Sequence, residues 1–124
     1  MKDKRPVNLN LWTIAFPLPA IISILHRISG VILFVLMPLL LWLLASSLRD
    51  ASSFAQSAAF LAQPLVKLVI WGLLVALFYH LVAGIRHLLM DGHIGDSLAG
   101  GRLGAKIVLA LTIIFVIFSG IWLW

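Results

Sequence analysis

Cysteine is absent from this chain. That excludes a disulfide scaffold, a thiolate-held cluster and covalent haem attachment through C-x-x-C-H. Charge is almost as scarce: only 10% of the residues are Asp, Glu, Lys or Arg, against ~25% in an ordinary soluble domain. Three stretches, Ile28–Leu48, Leu68–Ile85 and Ile107–Trp124, contain none of these four residue types. At ~1.5 Å of rise per residue each approaches the ~30 Å of hydrocarbon that a spanning helix crosses. Internal repeats are also lacking, and inverted-repeat transporters are normally much longer than 124 residues. The expected class is an all-α membrane protein with three transmembrane helices.

Hydrophobic residues make up 63% of the chain, and its few charges are mostly positive. The positive excess reads as topology, not as a nucleic-acid footprint. With the N-terminus cytoplasmic, Lys2, Lys4, Arg5, Arg27, Arg86, Arg102 and Lys106 fall on the inner side, leaving only Arg49 and Lys67 outside. Trp42, Trp71, Trp122 and Trp124 then gather at the outer interface, as an aromatic belt does. Both patterns place the C-terminus on the periplasmic side. The N-terminal residues MKDKRPVNLNLW lack the apolar run and small-residue cleavage site of a secretory signal and the Arg/Ser richness of a transit peptide. The expected location is a bacterial inner membrane.

Punctuation along the chain divides it into a cytoplasmic segment 1–19, helix I over 20–48, a periplasmic connection 49–63, helix II over 64–90, a cytoplasmic loop 91–103 and helix III over 104–124. Pro17 and Pro19 set the start of the first helix, and Pro64 suits the first turn of the second. Pro38 is placed to kink helix I. The Ser/Ala/Phe-rich stretch up to Gln63 suits an interfacial position, and Asp91-Gly92-His93-Ile94-Gly95-Asp96 is a turn-rich loop.

Ionisable residues within a span are functional candidates because burying them is costly. On helix I, Ser23 and Arg27 stand four apart and share a face. A fixed hydroxyl there can hydrogen-bond a quinone carbonyl, and the guanidinium can stabilise developing negative charge on it or hold a haem propionate. The same pair also fits an arginine snorkelling to lipid phosphate and a serine bonded to its own backbone. On helix II, His80 lies roughly 9 Å along the axis inside Arg86, within hydrocarbon. Gly84 and His87 follow on nearly the same face, so a flat macrocycle can approach, and neutral imidazole is a haem-iron ligand. A histidine hydrogen-bonded to a neighbouring helix fits the spacing too. His26 points about 100° away from Arg27, towards the edge of such a site or the headgroups. His93 reads as a solvated loop residue, Lys67 as a snorkelling anchor and Tyr79 as a packing residue. A second deep histidine is missing, so a bis-histidine haem would take its other ligand from another polypeptide.

Three ordered motifs connect these residues to a known family: Arg5-Pro6-Val7-Asn8-Leu9, Ser23-x-x-His26-Arg27-x-Ser29-Gly30, and His80-x-x-x-Gly84-Ile85-Arg86-His87-Leu88-x-Met90-Asp91. Together they span essentially the whole chain, which resembles the cytochrome b556 family of succinate dehydrogenase membrane-anchor subunits. The resemblance implies that His80 is an axial ligand of haem b, with the second histidine on a smaller anchor subunit. It implies quinone-site roles for Ser23 and Arg27, and haem-propionate neighbours in His26, Arg27 and His87. It further implies ubiquinone as electron acceptor, and three partners: the second anchor, an iron-sulfur subunit and a flavoprotein subunit. Such a chain is no enzyme on its own. The pattern departs at His93, where the family usually carries a small residue. Two other readings fit the residues: a haem-free anchor of the fumarate reductase kind, and a small transporter with a His80–Arg86 polar relay.

Overall fold

The computed structural model describes residues 7–124, so the Lys2, Lys4, Arg5 and Pro6 positions of the charge pattern and first motif lie outside the described residues. Four helices follow in order: α1 (Leu18–Ser47), α2 (Ala51–Leu61), α3 (Pro64–Asp91) and α4 (Leu98–Leu123). Three of them, α1, α3 and α4, are long and apolar enough to cross a membrane. Their 30, 28 and 26 residues give roughly 40–45 Å of helix each, more than the ~30 Å of hydrocarbon.

Local chemistry explains the boundaries. Pro17 and Gln63 stand in extended conformation before α1 and α3, each with a proline in the first turn that follows, where the missing N–H costs nothing. The 49–63 connection is not mainly irregular: Asp50 accepts the Ser53 N–H at 2.7 Å and starts the eleven-residue α2. Helix α4 begins six residues before the expected 104, because the Ser97 hydroxyl accepts the Gly100 N–H at 3.1 Å and caps it. Helix α3 ends in a Schellman motif, with Ile94 N–H on Leu89 O at 2.8 Å and His93 N–H on Met90 O at 3.0 Å. His93 carries the left-handed φ of 62° that this turn needs. The position where the resemblance expects a small residue is thus one whose backbone favours glycine.

The interior is small. Ile22, Tyr79, Ala83, Ala105 and Val108 form its centre, and alanines at Ala83 and Ala105 let α3 and α4 approach closely, as small residues do between membrane helices. Helix α3 is central, packing against both α1 and α4. Specific bonds fix the rotation of each pair. Tyr79 donates its hydroxyl proton to Ile22 O at 2.7 Å, and Trp71 Nε1–H donates to Ser119 Oγ at 3.0 Å. Phe78 and Phe115 stack at 4.2 Å. Lys67 Nζ donates to Leu123 O at 3.1 Å, so this lysine caps the end of α4. Large side chains such as Phe34 and Phe118 stay exposed, at 81% and 69%. In lipid, or against partner helices, that outward apolar surface carries no hydration penalty.

Candidate functional site

The start of α1, the end of α3 and the start of α4 lie at the same end of the bundle. The Tyr79–Ile22 bond turns His80 towards α1, and His26 and His87 complete a column of imidazoles. His26 stands in the middle, its ring 4.1 Å from that of His80 with 14° between planes, and 5.0 Å from that of His87 with 26°. Two glycines create the room. A Cβ at Gly30 would come within 3.0 Å of His80 Cε1, and one at Gly84 within 3.2 Å of His26 Nε2. Gly84, expected to admit a macrocycle, thus receives the His26 ring.

Hydrogen bonds define the imidazole tautomers. His80 Nδ1 is 3.1 Å from His26 O and 3.0 Å from Ser29 Oγ, and the Ser29 hydroxyl donates to the same His26 carbonyl at 2.8 Å. A carbonyl only accepts, and Ser29 has already spent its proton, so His80 carries its hydrogen on Nδ1. Its Nε2 is left with a free lone pair, the arrangement that metal-ligating histidines use. His87 follows the same logic. Its Nδ1–H donates to Ala83 O at 2.7 Å, and its Nε2 accepts the Ser23 hydroxyl at 3.3 Å.

The sequence candidates therefore divide. Ser23, His26, His80 and His87 come together across the α1–α3 interface, with His26 at the centre and not at the edge. Arg27 is exposed, and among the described residues its side chain makes no hydrogen bond. It shares a helix face with Ser23 only loosely, since Ser23 turns inward to His87. Ser29, part of the quoted motif but given no role from the sequence, is the second acceptor for His80. The signal available for it was its spacing, one turn after His26 and six residues after Ser23. Arg86 points elsewhere: its Nη2 donates to Gly101 O on α4 at 3.1 Å. That separates it from His80, so the two do not form a relay.

No three His, Asp or Glu side chains among the described residues converge to hold an ion. Stacked rings present their nitrogens side by side, so this column offers an iron single ligands, not a cage. An iron bound here must bring an equatorial ligand set with it, and a porphyrin does so. His80 fits that requirement in tautomer, in the Gly30 cradle and in its helical support.

Fold and site define a polytopic helical membrane subunit with a histidine-lined polar end. Residues 1–119 match the family of succinate dehydrogenase/fumarate reductase transmembrane subunits. The chain is 43% identical to a succinate dehydrogenase cytochrome b556 subunit of Coxiella burnetii, over 100% of both chains. Its identity to the corresponding subunit of Paracoccus denitrificans is 28%, over 95% of this chain and 91% of that one. With the subunit of Rickettsia felis it is 35%, over 77% and 74%. This chain belongs to the succinate dehydrogenase cytochrome b membrane-subunit family.

Proposed function

We propose that this chain is the cytochrome b anchor of a succinate:quinone oxidoreductase, holding haem b jointly with a second anchor subunit and forming part of a ubiquinone-reduction site. The observation that carries the reading is the His80 hydrogen-bond set: with Nδ1–H engaged by His26 O and Ser29, Nε2 is left as an iron ligand. Haem b would supply a one-electron carrier between the polar end and the membrane interior. His80 would hold the haem iron from this chain and a histidine of the partner anchor would supply its other ligand, since His26 and His87 lie stacked in one column with His80 as neighbours. His26 and the exposed Arg27 supply donors for the propionates, whereas the N–H of His87 is already engaged by Ala83 O.

For the quinone, Ser23 and Arg27 are the binding residues. Ser23 presents a hydroxyl whose proton rests on His87 Nε2 in this structure and can turn to a quinone carbonyl. The neighbouring guanidinium favours negative charge arising on that oxygen. Electrons reach the site from succinate through the flavoprotein and iron-sulfur subunits, docked on the cytoplasmic face at the polar end. The chain lies in the bacterial inner membrane with its C-terminus periplasmic, as the charge and tryptophan patterns support.

The test is expression with the partner subunits and a pyridine haemochrome assay. His80→Ala is expected to remove the haem b signal. Ser23→Ala and Arg27→Leu are expected to slow quinone reduction by about 10–100-fold, the cost of losing a polar or charge-assisted contact worth ~1.5–3 kcal/mol, while succinate oxidation by a dye persists. An unchanged bis-histidine spectrum in His80→Ala sinks the ligand assignment. Haem-free wild-type complex with quinone reductase activity supports the fumarate reductase-like anchor instead.

A further inference from the structure

The α3–α4 interface holds a second polar feature, on the side of α3 turned away from the histidine column. Arg86 is buried to 8% exposure, yet its guanidinium makes a single hydrogen bond, Nη2 to Gly101 O. Its Nε–H is buried without any acceptor. The Arg86 charge has no carboxylate either, for among the described residues the only contact of a basic side chain with a carboxylate within 4 Å is that of His93 with Asp96. The guanidinium lies over Gly104, where a Cβ would come within 3.2 Å of Nε. A cation placed this deep with its donors mostly idle is costly unless an anion completes it.

Beside Arg86 runs an open cleft of about 350 Å³, between Ile85 and Leu89 of α3 and Ile107 and Leu111 of α4. That volume lies in the ~300–1,000 Å³ range of ligand clefts. The lining runs from Ile94, Gly95 and Gly100 at the loop end, past Arg86, to Leu111 towards the middle of the span, and apart from Arg86 it is overwhelmingly apolar. One cation partway along the cleft, with a hydrocarbon trough leading from it into the span, matches an amphiphile with an anionic head. Exposed Arg102 and Lys106 begin the neighbouring helix at the same end and raise the local concentration of anionic lipid.

We infer that the α3–α4 cleft is a binding site for an anionic phospholipid, its phosphate on Arg86 and one acyl chain along Ile85, Leu89, Ile107 and Leu111. Charge complementarity selects this occupant, and the site is independent of haem and quinone.

The test uses the complex purified in mild detergent and returned to nanodiscs of phosphatidylcholine containing a minority of phosphatidylglycerol. Lipid that survives a second detergent wash is quantified by mass spectrometry per copy of this chain. The wild type is expected to retain about one phosphatidylglycerol. Arg86→Gln, which removes the charge, and Leu111→Trp, which fills the trough away from the guanidinium, are each expected to lower retention by about ten-fold. Should Arg86→Gln fail to assemble, Leu111→Trp decides alone. The inference is overturned if the wild type retains no phosphatidylglycerol, as a carboxylate of a partner subunit on Arg86 would produce. Equal retention by the assembled variants, or phosphatidylcholine held as firmly as phosphatidylglycerol, overturns it as well.

Discussion

Ser29 performs two tasks with one oxygen. It donates to His26 O at 2.8 Å and receives His80 Nδ1–H at 3.0 Å, so it both holds the α1 carbonyl in line and shares in orienting the imidazole. An acceptor on the distal N–H makes a ligating imidazole more basic and favours the oxidised metal. Replacing Ser29 with Ala removes one of two acceptors and keeps the other, His26 O. With His80 ligating haem as proposed, Ser29→Ala is therefore expected to raise the reduction potential of the complex's haem, by no more than about 60 mV. That ceiling is the one-electron equivalent of a hydrogen bond worth ~0.5–1.5 kcal/mol. Redox titration of the haem absorbance measures it, and Ser29→Thr is expected to restore the original value. A fall in potential, or no restoration by threonine, contradicts this role.

His93 belongs to the same scale. Its φ of 62° lies in the left-handed region, which costs a non-glycine residue roughly 1–2 kcal/mol, and histidine pays at the lower end because it tolerates this region better than most. The compensation is a weak exposed contact, Nδ1 to Asp96 Oδ2 at 3.1 Å, of the kind worth ~0–1 kcal/mol. His93→Gly is thus expected to be neutral to stabilising by up to about 1 kcal/mol. A thermal melt in detergent decides, and a clear loss of stability would mean that the Asp96 contact dominates.

Among the elements, α2 depends most visibly on a single residue. The Ser53 backbone N–H, and then its hydroxyl, hold the Asp50 carboxyl below the ordinary carboxylate range. Since the folded value lies below the unfolded one, the cap stabilises fully above the unfolded carboxylate pKa of ~3.9 and is lost as pH falls through the folded value. Hydrogen exchange at the Ser53 and Phe54 amides is expected to become less protected over that acid window, after correction for intrinsic rates. Asp50→Asn, whose side chain still accepts, is expected to remove most of the pH dependence while keeping protection. The same cap was present in the residues Arg49-Asp50-Ala51-Ser52-Ser53, as Ser97 was before α4. Both signals are legible in a sequence, and they are what extend helix into segments that charge gaps alone assign to loops. The long spans were legible because missing charge over a bilayer's thickness has few other solutions. The histidine column was not, because which face of α3 meets α1 depends on one Tyr79–Ile22 bond, and how α4 then packs depends on two alanines. Arg86 was assigned to the interface by residue type, whereas Gly101 and Gly104 open a place for it between helices.

At the scale of the whole molecule, the contrast between its two kinds of apolar residue is the governing feature. Ala105 and Ala83 are fully buried while Phe118 is 69% exposed, the reverse of what size would dictate in water. In a membrane the ordering follows from close approach: lipid tails solvate a phenylalanine as well as protein does, but only small side chains let two backbones come near enough for dispersion contacts and for Trp71 to reach Ser119. Enlarging Ala105 to Leu inserts volume at the centre of the interior, where overpacking costs typically ~1–3 kcal/mol. It would also push α4 from α3 and stretch the Arg86–Gly101 bond. Phe118→Ala removes far more volume from the outward face, and is expected to change the stability of the isolated chain by less than about 0.5 kcal/mol. Reversible unfolding of both variants in mixed micelles measures the two costs side by side. Equal destabilisation would mean that burial of bulk, not close approach, holds the three spans together. A large Phe118→Ala effect seen only in the assembled complex would instead place a partner helix on that face of α4.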